Sequence, residues 1–402
     1  MLPFAHYNPV RVEFGPGKSR EVGPIAARFG KKAMLVTYEQ HDFFAALLDD
    51  IHKNLADAGM TVIDFFKVQA NPLLCHIREA VDICRSEKVD VVIALGGGSV
   101  MDSVKLIAAG VPYEGDLWQM FVSRHDREVA IPPKTSIPKI LIPTLPATSS
   151  EMNNIGVATN DVTHEKQYVW ADTLYADVSV VDPELTCSLP AFQTAAGAVD
   201  AISHVLEAYF SGDQNSPVHD RMQEGLVIGI MDELRAVLAD PKNVQHRANI
   251  QWASTLAWNG WMQCGLAAPT PMHQMGHVLS ARYNTTHGVT LAIFMASFLP
   301  YSCRLNAERA ARCATFGARV FGMNRADYAS DEAMGLAALD KLTAFIREVG
   351  LPTKLSEVGI PESDFEAIAD DIVRLGCNAE GNLPSIPPIG RDGILDILRL
   401  AK

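Results

Sequence analysis

Short apolar runs alternate with longer amphipathic stretches through the first half of the chain. The runs are mostly β-branched and end at glycine, proline or charged residues, which is typical of buried strands. Strands are predicted over 33–37, 61–66, 89–95, 139–142 and 178–181. Between them, 43–58 and 77–86 carry apolar residues at helical spacing. This alternation predicts a largely parallel sheet with helices on both faces.

The pattern changes after Pro190, because the rest of the chain carries apolar residues almost only at helical spacing. Helices are predicted over 191–210, 217–238, 244–263, 271–284, 289–303, 307–321, 331–349 and 391–401. Pro241 and Pro352 separate several of these segments, since proline cannot continue a helix from within. We therefore expect an α/β N-terminal domain over 1–190 and an all-α C-terminal domain over 191–402.

Composition narrows the class of protein. A chain of 402 residues is long enough for two domains, and its net charge of −13 argues against nucleic acid or an anionic membrane surface as partner. Seven scattered cysteines without a C-x-x-C pair favour a reduced protein. The first ten residues lack the features of a signal peptide, and the longest apolar run, 289–299, is shorter than the roughly 18 residues that span a bilayer. We expect a cytoplasmic globular protein.

A glycine-rich turn lies between a predicted buried strand and a helix start. Its residues are Gly96, Gly97, Gly98 and Ser99. Glycines let the backbone approach a phosphate closely, and a helix N-terminus adds N–H donors, so the turn predicts an anion cradle. Ser99 and Asp102 also have the spacing of a capping box. A simple tight turn is the alternative, because neither G-x-G-x-x-G nor a P-loop motif is present.

A polar stretch, 144–151, follows the strand predicted over 139–142. Hydroxyl groups at the carboxyl edge of a parallel sheet are placed where such sheets bind ligands. A helix cap is the alternative reading of this stretch, which by itself carries a weak signal.

Histidines are dense in the second half of the chain. Asp200 and His204 are four residues apart on a predicted helix, as are His273 and His277, and His287 follows. Each histidine alone could be a core or capping residue. One carboxylate and three imidazoles together favour Zn²⁺ or Fe²⁺ over the oxygen-preferring Mg²⁺ and Ca²⁺. A closed structural site and a catalytic site with an open position both remain consistent with this set.

Taken in order, these motifs resemble the iron-containing (group III) alcohol dehydrogenases, within them the branch of butanol dehydrogenase and broad-range aldehyde reductase. The resemblance covers essentially the whole chain. It rests on Asn8-Pro9, Phe14-Gly15-Pro16-Gly17, Asn71-Pro72, Gly96-Gly97-Gly98-Ser99 with Asp102, Thr144-Leu145-Pro146-Ala147-Thr148, Glu151, Lys166, Asp182-Pro183, Leu189-Pro190, Asp200-x-x-x-His204, His273-x-x-x-His277 and His287-Gly288. It implies that 1–190 binds a dinucleotide and that 191–402 binds a metal.

The resemblance also implies roles for individual residues. The implied metal ligands are Asp200, His204, His273 and His287, with Fe²⁺ the expected ion and Zn²⁺ the alternative. The implied cofactor-binding residues are Asn71, Gly97, Gly98, Ser99, Asp102, Thr144, Thr148, Lys166 and Leu185. The implied catalytic residue is His277, as a proton relay beside the metal. Helix capping by Asp102 and plain packing by Leu185 are the alternatives.

Two positions bear on the cofactor. Ser149 stands where the family has glycine, and we expect its side chain to crowd the nicotinamide end or to form a new hydrogen bond there. Glu39 follows the strand predicted over 33–37; it would repel the 2′-phosphate of NADP and could accept hydrogen bonds from a ribose diol. NAD is therefore favoured over NADP, with a solvated loop role for Glu39 as the alternative.

The implied function is hydride transfer between NAD(P)(H) and a primary alcohol or aldehyde, with the metal polarising the substrate oxygen. A glycerol dehydrogenase-like polyol oxidoreductase is the nearest alternative, but such relatives use three protein ligands and His204 is a fourth candidate. The second alternative is a non-catalytic dinucleotide-binding protein with a structural metal. Such a protein would not need His277. We expect a homodimer. Candidates to line an apolar substrate pocket, or to be helix core, are Trp258, Trp261, Met262 and Cys264.

Overall fold

The computed structural model describes residues 1–122, 128–211 and 216–402, which form two compact units. We call the first the α/β unit; it comprises Tyr7–Leu189 and Lys242–Thr255. The helical unit comprises Met1–His6, Pro190–Pro241 and Leu256–Lys402.

The α/β unit is built on a six-stranded sheet whose neighbouring strands are all parallel. The eight strands are β1 (Arg11–Phe14), β2 (Lys32–Tyr38), β3 (Thr61–Val68), β4 (Val91–Gly96), β5 (Lys139–Pro143), β6 (Ile155–Thr159), β7 (Lys166–Trp170) and β8 (Val178–Val181). The sheet order is β1-β8-β5-β4-β2-β3, and β6 pairs with β7 in a separate antiparallel hairpin. The predicted parallel sheet is confirmed; β1 and the hairpin are additions that no apolar run had indicated.

Successive residues of the central strands divide between two apolar clusters, as the period of a strand requires. Met34 and Val92 belong to the cluster that includes α3 (Leu74–Glu87) and α4 (Gly98–Gly110). Their neighbours Leu35 and Ile93 belong to the cluster that includes α1 (Val22–Ala26) and α2 (Ala45–Asp57). Helices therefore cover both faces of the sheet, and every residue of β4 is buried.

The second half of the chain is helical, as predicted. Its helices are α5 (Ala191–Ser211), α6 (Pro217–Ala239), α7 (Val244–Ala257), α8 (Pro271–Tyr283), α9 (His287–Cys303), α10 (Ala307–Val320), α11 (Asp331–Glu348), α12 (Phe365–Gly376) and α13 (Arg391–Leu400). In the helical unit α5 packs on α6 and α9, and α8 packs on α9 and α12. These contacts bring together the helix segments that carry the predicted metal ligands.

Two predicted helix assignments need correction. The helix expected over 244–263 ends at Ala257, because Gly260 and Gly265 adopt left-handed backbone conformations with φ of 92° and 66°. The helix α12 was missed, although its apolar residues have amphipathic spacing.

Two expectations from composition can be compared with the structure. The seven cysteines all lie in the described ranges and form no disulfide. Among residues 1–122, 128–211 and 216–402, no helix combines the length and apolar character needed to cross a membrane.

Candidate active site

The glycine-rich turn joins the end of β4 to the start of α4. The main-chain N–H of Gly97 donates to the hydroxyl of Tyr38 at 3.0 Å, and Gly97 is the N-cap of α4. A methyl group added at Gly98 would lie 2.6 Å from Cγ2 of Thr148. The backbone of the turn therefore lies so close to the 144–151 stretch that a residue with a side chain would not fit at position 98. Thr144 lies at the same place, since its N–H donates to the carbonyl of Gly96 at 3.0 Å.

The capping box expected from Ser99 and Asp102 is wrong. Ser99 Oγ donates instead to the carbonyl of Ala70 at 2.5 Å, and α4 has no side-chain cap. The Asp102 carboxylate accepts hydrogen bonds from Ser150 Oγ at 2.6 Å and from the N–H of Val157 at 3.1 Å. Burial raises the pKa of Asp102, and Lys105 opposes that rise. Asp102 thus ties α4 to the polar stretch and to β6.

Among the remaining predicted cofactor residues, Asn71 and Lys166 are joined by a hydrogen bond, whereas Leu185 makes apolar contacts. Lys166 Nζ donates to Asn71 Oδ1 at 3.0 Å, and Asn71 follows the Ala70 carbonyl that Ser99 contacts. These three positions are therefore linked to the turn. Leu185 lies in the turn after β8 and packs, partly buried, against the apolar cluster that includes α1 and α2. That contact fits the packing alternative, and its cofactor role stays a prediction.

Ser149 keeps the left-handed conformation that suits glycine, with φ of 52°. Its side chain is buried, and Oγ donates to the carbonyl of Ser254 at 2.5 Å. Ser254 lies in the last turn of α7, where carbonyls have no partner within the helix. Of the two expected outcomes, the structure therefore shows a new hydrogen bond, directed to the end of a helix.

The predicted metal ligands come from three helices of the helical unit. Asp200 and His204 lie on α5, and His273 lies near the start of α8. One candidate ligand atom from each of these three side chains falls within 4.8 Å of the others. His287, the first residue of α9, places Nε2 3.9 Å from Asp200 Oδ1, and its ring centroid lies 5.4 Å from that of His273. The structure thus brings these four side chains close together.

His277 adjoins this cluster without joining its centre. It lies one turn after His273 on α8 and is partly buried. Its ring centroid is 6.5 Å from that of His273 and 5.4 Å from that of His287. This position suits a group that moves a proton near the ligands.

The side chains of the cluster fit a divalent metal. Burial, with a smaller contribution from His273, lowers the pKa of His204 well below its usual value, so the ring is neutral and offers a lone pair. Nδ1 of His204 is buried and has no hydrogen-bond partner among the described residues. One carboxylate and three imidazoles form a mixed O,N donor set of the kind that binds Fe²⁺ or Zn²⁺.

A buried carboxylate, Glu207, lies behind His273. Its Oε1 is 3.0 Å from Nδ1 of the His273 ring. Glu207 is not among the site residues predicted from sequence. The signal was present, because Glu207 lies three residues after His204 and shares its helix face.

Of the four candidate pocket residues, Trp258 lies beside the cluster. Its ring centroid lies 5.6 Å from that of His204. Trp261 and Cys264 instead contact His6, with a ring distance of 4.9 Å and an Sγ–Nδ1 distance of 3.3 Å. Met262 is buried, and its carbonyl accepts from the side chain of Gln223.

Comparisons with known proteins identify the family of the chain. The family model described as iron-containing alcohol dehydrogenase matches residues 9–183, and the model of the C-terminal region of the same family matches 194–401. NADH-dependent butanol dehydrogenase A of Clostridium acetobutylicum is 34% identical over 403 residues, covering 99% of both chains. NADPH-dependent aldehyde reductase of Escherichia coli is 31% identical over 387 residues, covering 95% of both.

A solved structure extends the likeness to three dimensions. The crystal structure of NADH-dependent butanol dehydrogenase A from Thermotoga maritima matches with a TM-score of 0.91 and 33% identity. The match covers 100% of this chain and 99% of that one. The chain therefore belongs to the iron-containing alcohol dehydrogenase family and is a nicotinamide-dependent oxidoreductase, as its motifs predicted.

Proposed function

We propose that this enzyme reduces short primary aldehydes, and oxidises the corresponding alcohols, with NADH as its preferred cofactor. The observation that carries the proposal is the convergence of Asp200, His204 and His273 in one buried cluster, with His287 beside it. In this proposal the domain over 1–190 binds the dinucleotide and the domain over 191–402 holds the metal.

Asp200, His204, His273 and His287 would hold the ion, with Fe²⁺ expected and Zn²⁺ the alternative. When bound, the ion supplies Lewis acidity toward the substrate oxygen. Its ligands lie on three helices of one unit, which fixes their separation. His277, partly buried beside the cluster, would take the proton from the alcohol or return it to the product.

The glycine turn would bind the pyrophosphate through the backbone of Gly97 and Gly98 and the residue Ser99. The nicotinamide supplies or accepts the hydride. The other proposed cofactor contacts are Asn71, Asp102, Thr144, Thr148, Lys166 and Leu185. Several of them are held by hydrogen bonds within the protein, so little ordering would accompany cofactor binding.

The preference for NADH rests on Glu39. This exposed carboxylate follows β2, and Gln69 Nε2 donates to it at 3.4 Å. A negative charge there would repel the 2′-phosphate of NADPH and accept hydrogen bonds from the ribose diol of NADH. The relatives described above include an NADH-dependent and an NADPH-dependent enzyme, so the role of position 39 in this chain is the one to test.

The substrate class rests on Trp258. Its indole contributes an apolar surface beside His204. Such a surface accommodates an alkyl chain, whereas a polyol would lose hydrogen bonds to water there. Simple aldehydes are therefore favoured over glycerol.

The test is NADH and NADPH oxidation by metal-loaded enzyme with propanal, butanal, hexanal and dihydroxyacetone. We expect butanal and hexanal to give the highest kcat/KM, with NADH preferred. Preference for dihydroxyacetone would instead support the polyol oxidoreductase, and Glu39→Ser should relax the preference for NADH. Absence of turnover with every aldehyde, under both cofactors and with either Fe²⁺ or Zn²⁺, would overturn the proposal.

We also propose a cytoplasmic homodimer. Seven free thiols fit a reducing compartment. Large apolar side chains are exposed at the N-terminus, where Met1, Leu2 and Phe4 are 60%, 51% and 53% exposed, which is consistent with contact to a second copy. Sedimentation velocity that finds only a monomer at micromolar concentration would overturn the dimer.

A further inference from the structure

We propose that Glu207 is a positioning residue for the metal ligand His273, holding its ring in one orientation and one tautomer. This inference rests on the proposed metal-binding function.

The placement follows from the helical repeat of α5. Asp200, His204 and Glu207 lie at positions i, i+4 and i+7, which form one face of a helix. Asp200 and His204 are direct ligand candidates, with side chains in the cluster. Glu207 is completely buried one turn further along, so its carboxylate reaches His273 on α8 instead.

Glu207 holds His273 at two points. Its Oε1 accepts a hydrogen bond from the main-chain N–H of His273 at 2.9 Å and lies 3.0 Å from Nδ1 of the same residue. The first contact satisfies the main-chain N–H of His273, which lies in the first turn of α8. Because α8 begins at Pro271, this N–H finds no acceptor within the helix. The second restrains rotation of the imidazole ring.

The contact also determines which nitrogen can bind a metal. A carboxylate only accepts hydrogen bonds, so Nδ1 of His273 carries the proton. The lone pair is then on Nε2, the atom left for an ion, as in other carboxylate–histidine–metal arrangements.

A purely structural role is the competing explanation, in which Glu207 only caps α8. Glu207→Gln separates the two, because the amide oxygen can still accept from the N–H of His273 while the negative charge is lost. The matched control is Glu224→Gln. Glu224 is also buried in the helical unit, where its carboxylate accepts hydrogen bonds from Tyr209, Arg221 and Arg319.

The experiment measures Co²⁺ binding to metal-free protein by competition with a chelator, together with the ligand-field spectrum and the unfolding temperature. We expect Glu207→Gln to weaken Co²⁺ binding about 10- to 100-fold and to alter the spectrum. Glu224→Gln should lower the unfolding temperature and leave both metal readouts as in wild type.

Wild-type affinity and spectrum in Glu207→Gln would overturn the inference and leave the proposed function standing. If Glu207→Gln does not fold, Glu207→Asp is the second test variant. It keeps the carboxylate, but its side chain is one methylene shorter, so the oxygen lies farther from His273. We expect weakened binding and an altered spectrum there, and wild-type values would overturn the inference. Failure of the wild-type protein itself to bind Co²⁺ would contradict the metal site, and with it the proposed function.

Discussion

The glycine turn of the α/β unit and the histidine cluster of the helical unit use their polar groups differently. At the turn, Ser99, Asp102 and Lys166 already make hydrogen bonds to other parts of the protein, and close backbone approach shapes the site. In the cluster, side chains from three helices converge on one another. The glycine turn should therefore be sensitive to added side-chain atoms, whereas the histidine cluster should be sensitive to the loss of a metal ligand.

The largest expected effect is that of Asp200→Ala. It removes the carboxylate from the cluster, so the protein should retain no metal and turnover should fall on the order of a thousandfold or more. Metal content and kcat measure this directly. Asp220→Ala is the control, because it breaks a hydrogen-bonded pair with Arg312 in the same unit. We expect it to cost about 3 kcal/mol of stability and to keep the metal. Loss of metal from both variants alike would contradict the assignment.

The next effect is that of His277→Ala. If His277 relays a proton without binding the ion, kcat should drop on the order of a hundredfold while metal content stays as in wild type. Stopped-flow measurement of NADH oxidation across pH would show the lost ionisation as a flatter profile. A variant that loses its metal would make His277 a ligand.

Gly98→Ala tests the turn. The added methyl would lie 2.6 Å from Thr148, so the turn or the polar stretch must move. An overpacking cost of about 1–3 kcal/mol predicts a KM for NADH raised about 5- to 150-fold, with metal content unchanged. Gly225→Ala is the matched control, since a methyl group added at that helical glycine would meet no neighbouring element within 4 Å. It should raise stability by about 0.5–1 kcal/mol and leave KM unchanged. An unchanged KM in Gly98→Ala would refute the close-approach argument.

The smallest effect concerns a buried amine behind the turn. Lys105 donates to Asn153 and to the carbonyl of Ile155, and burial lowers its pKa to about 8. At pH values between that pKa and the pKa of about 10.4 of lysine in the unfolded chain, the unfolded state binds more protons than the folded state. The contribution of Lys105 to the free energy of unfolding therefore rises with pH. Wild type should gain up to about 3 kcal/mol relative to Lys105→Met between pH 7 and pH 10.5. Urea unfolding at the two pH values measures this gain, and an equal difference at both would contradict the shift.

The same contrast explains what could be predicted from sequence. Residues four apart on a helix share a face, so the pairs Asp200–His204 on α5 and His273–His277 on α8 were recognisable. The buried strand before the turn was also recognisable, because its apolar residues form a continuous run in the sequence.

The contacts that escaped prediction join residues far apart in the chain. Glu207 and His273 are 66 positions apart, Asp102 and Val157 are 55 apart, and Ser149 and Ser254 are 105 apart. No local pattern records such a pairing, because packing of helices and strands creates it. The capping box expected at Ser99 failed in this way, since a tertiary partner replaced the local one.

In the proposed function, one divalent ion, held in the histidine cluster, is required for turnover. The direct measurement is the rate of NADH oxidation by butanal as metal-free enzyme is titrated anaerobically with Fe²⁺. We expect no turnover at the start, a linear rise, and a plateau at about one ion per chain. Full activity in the metal-free enzyme would contradict this requirement.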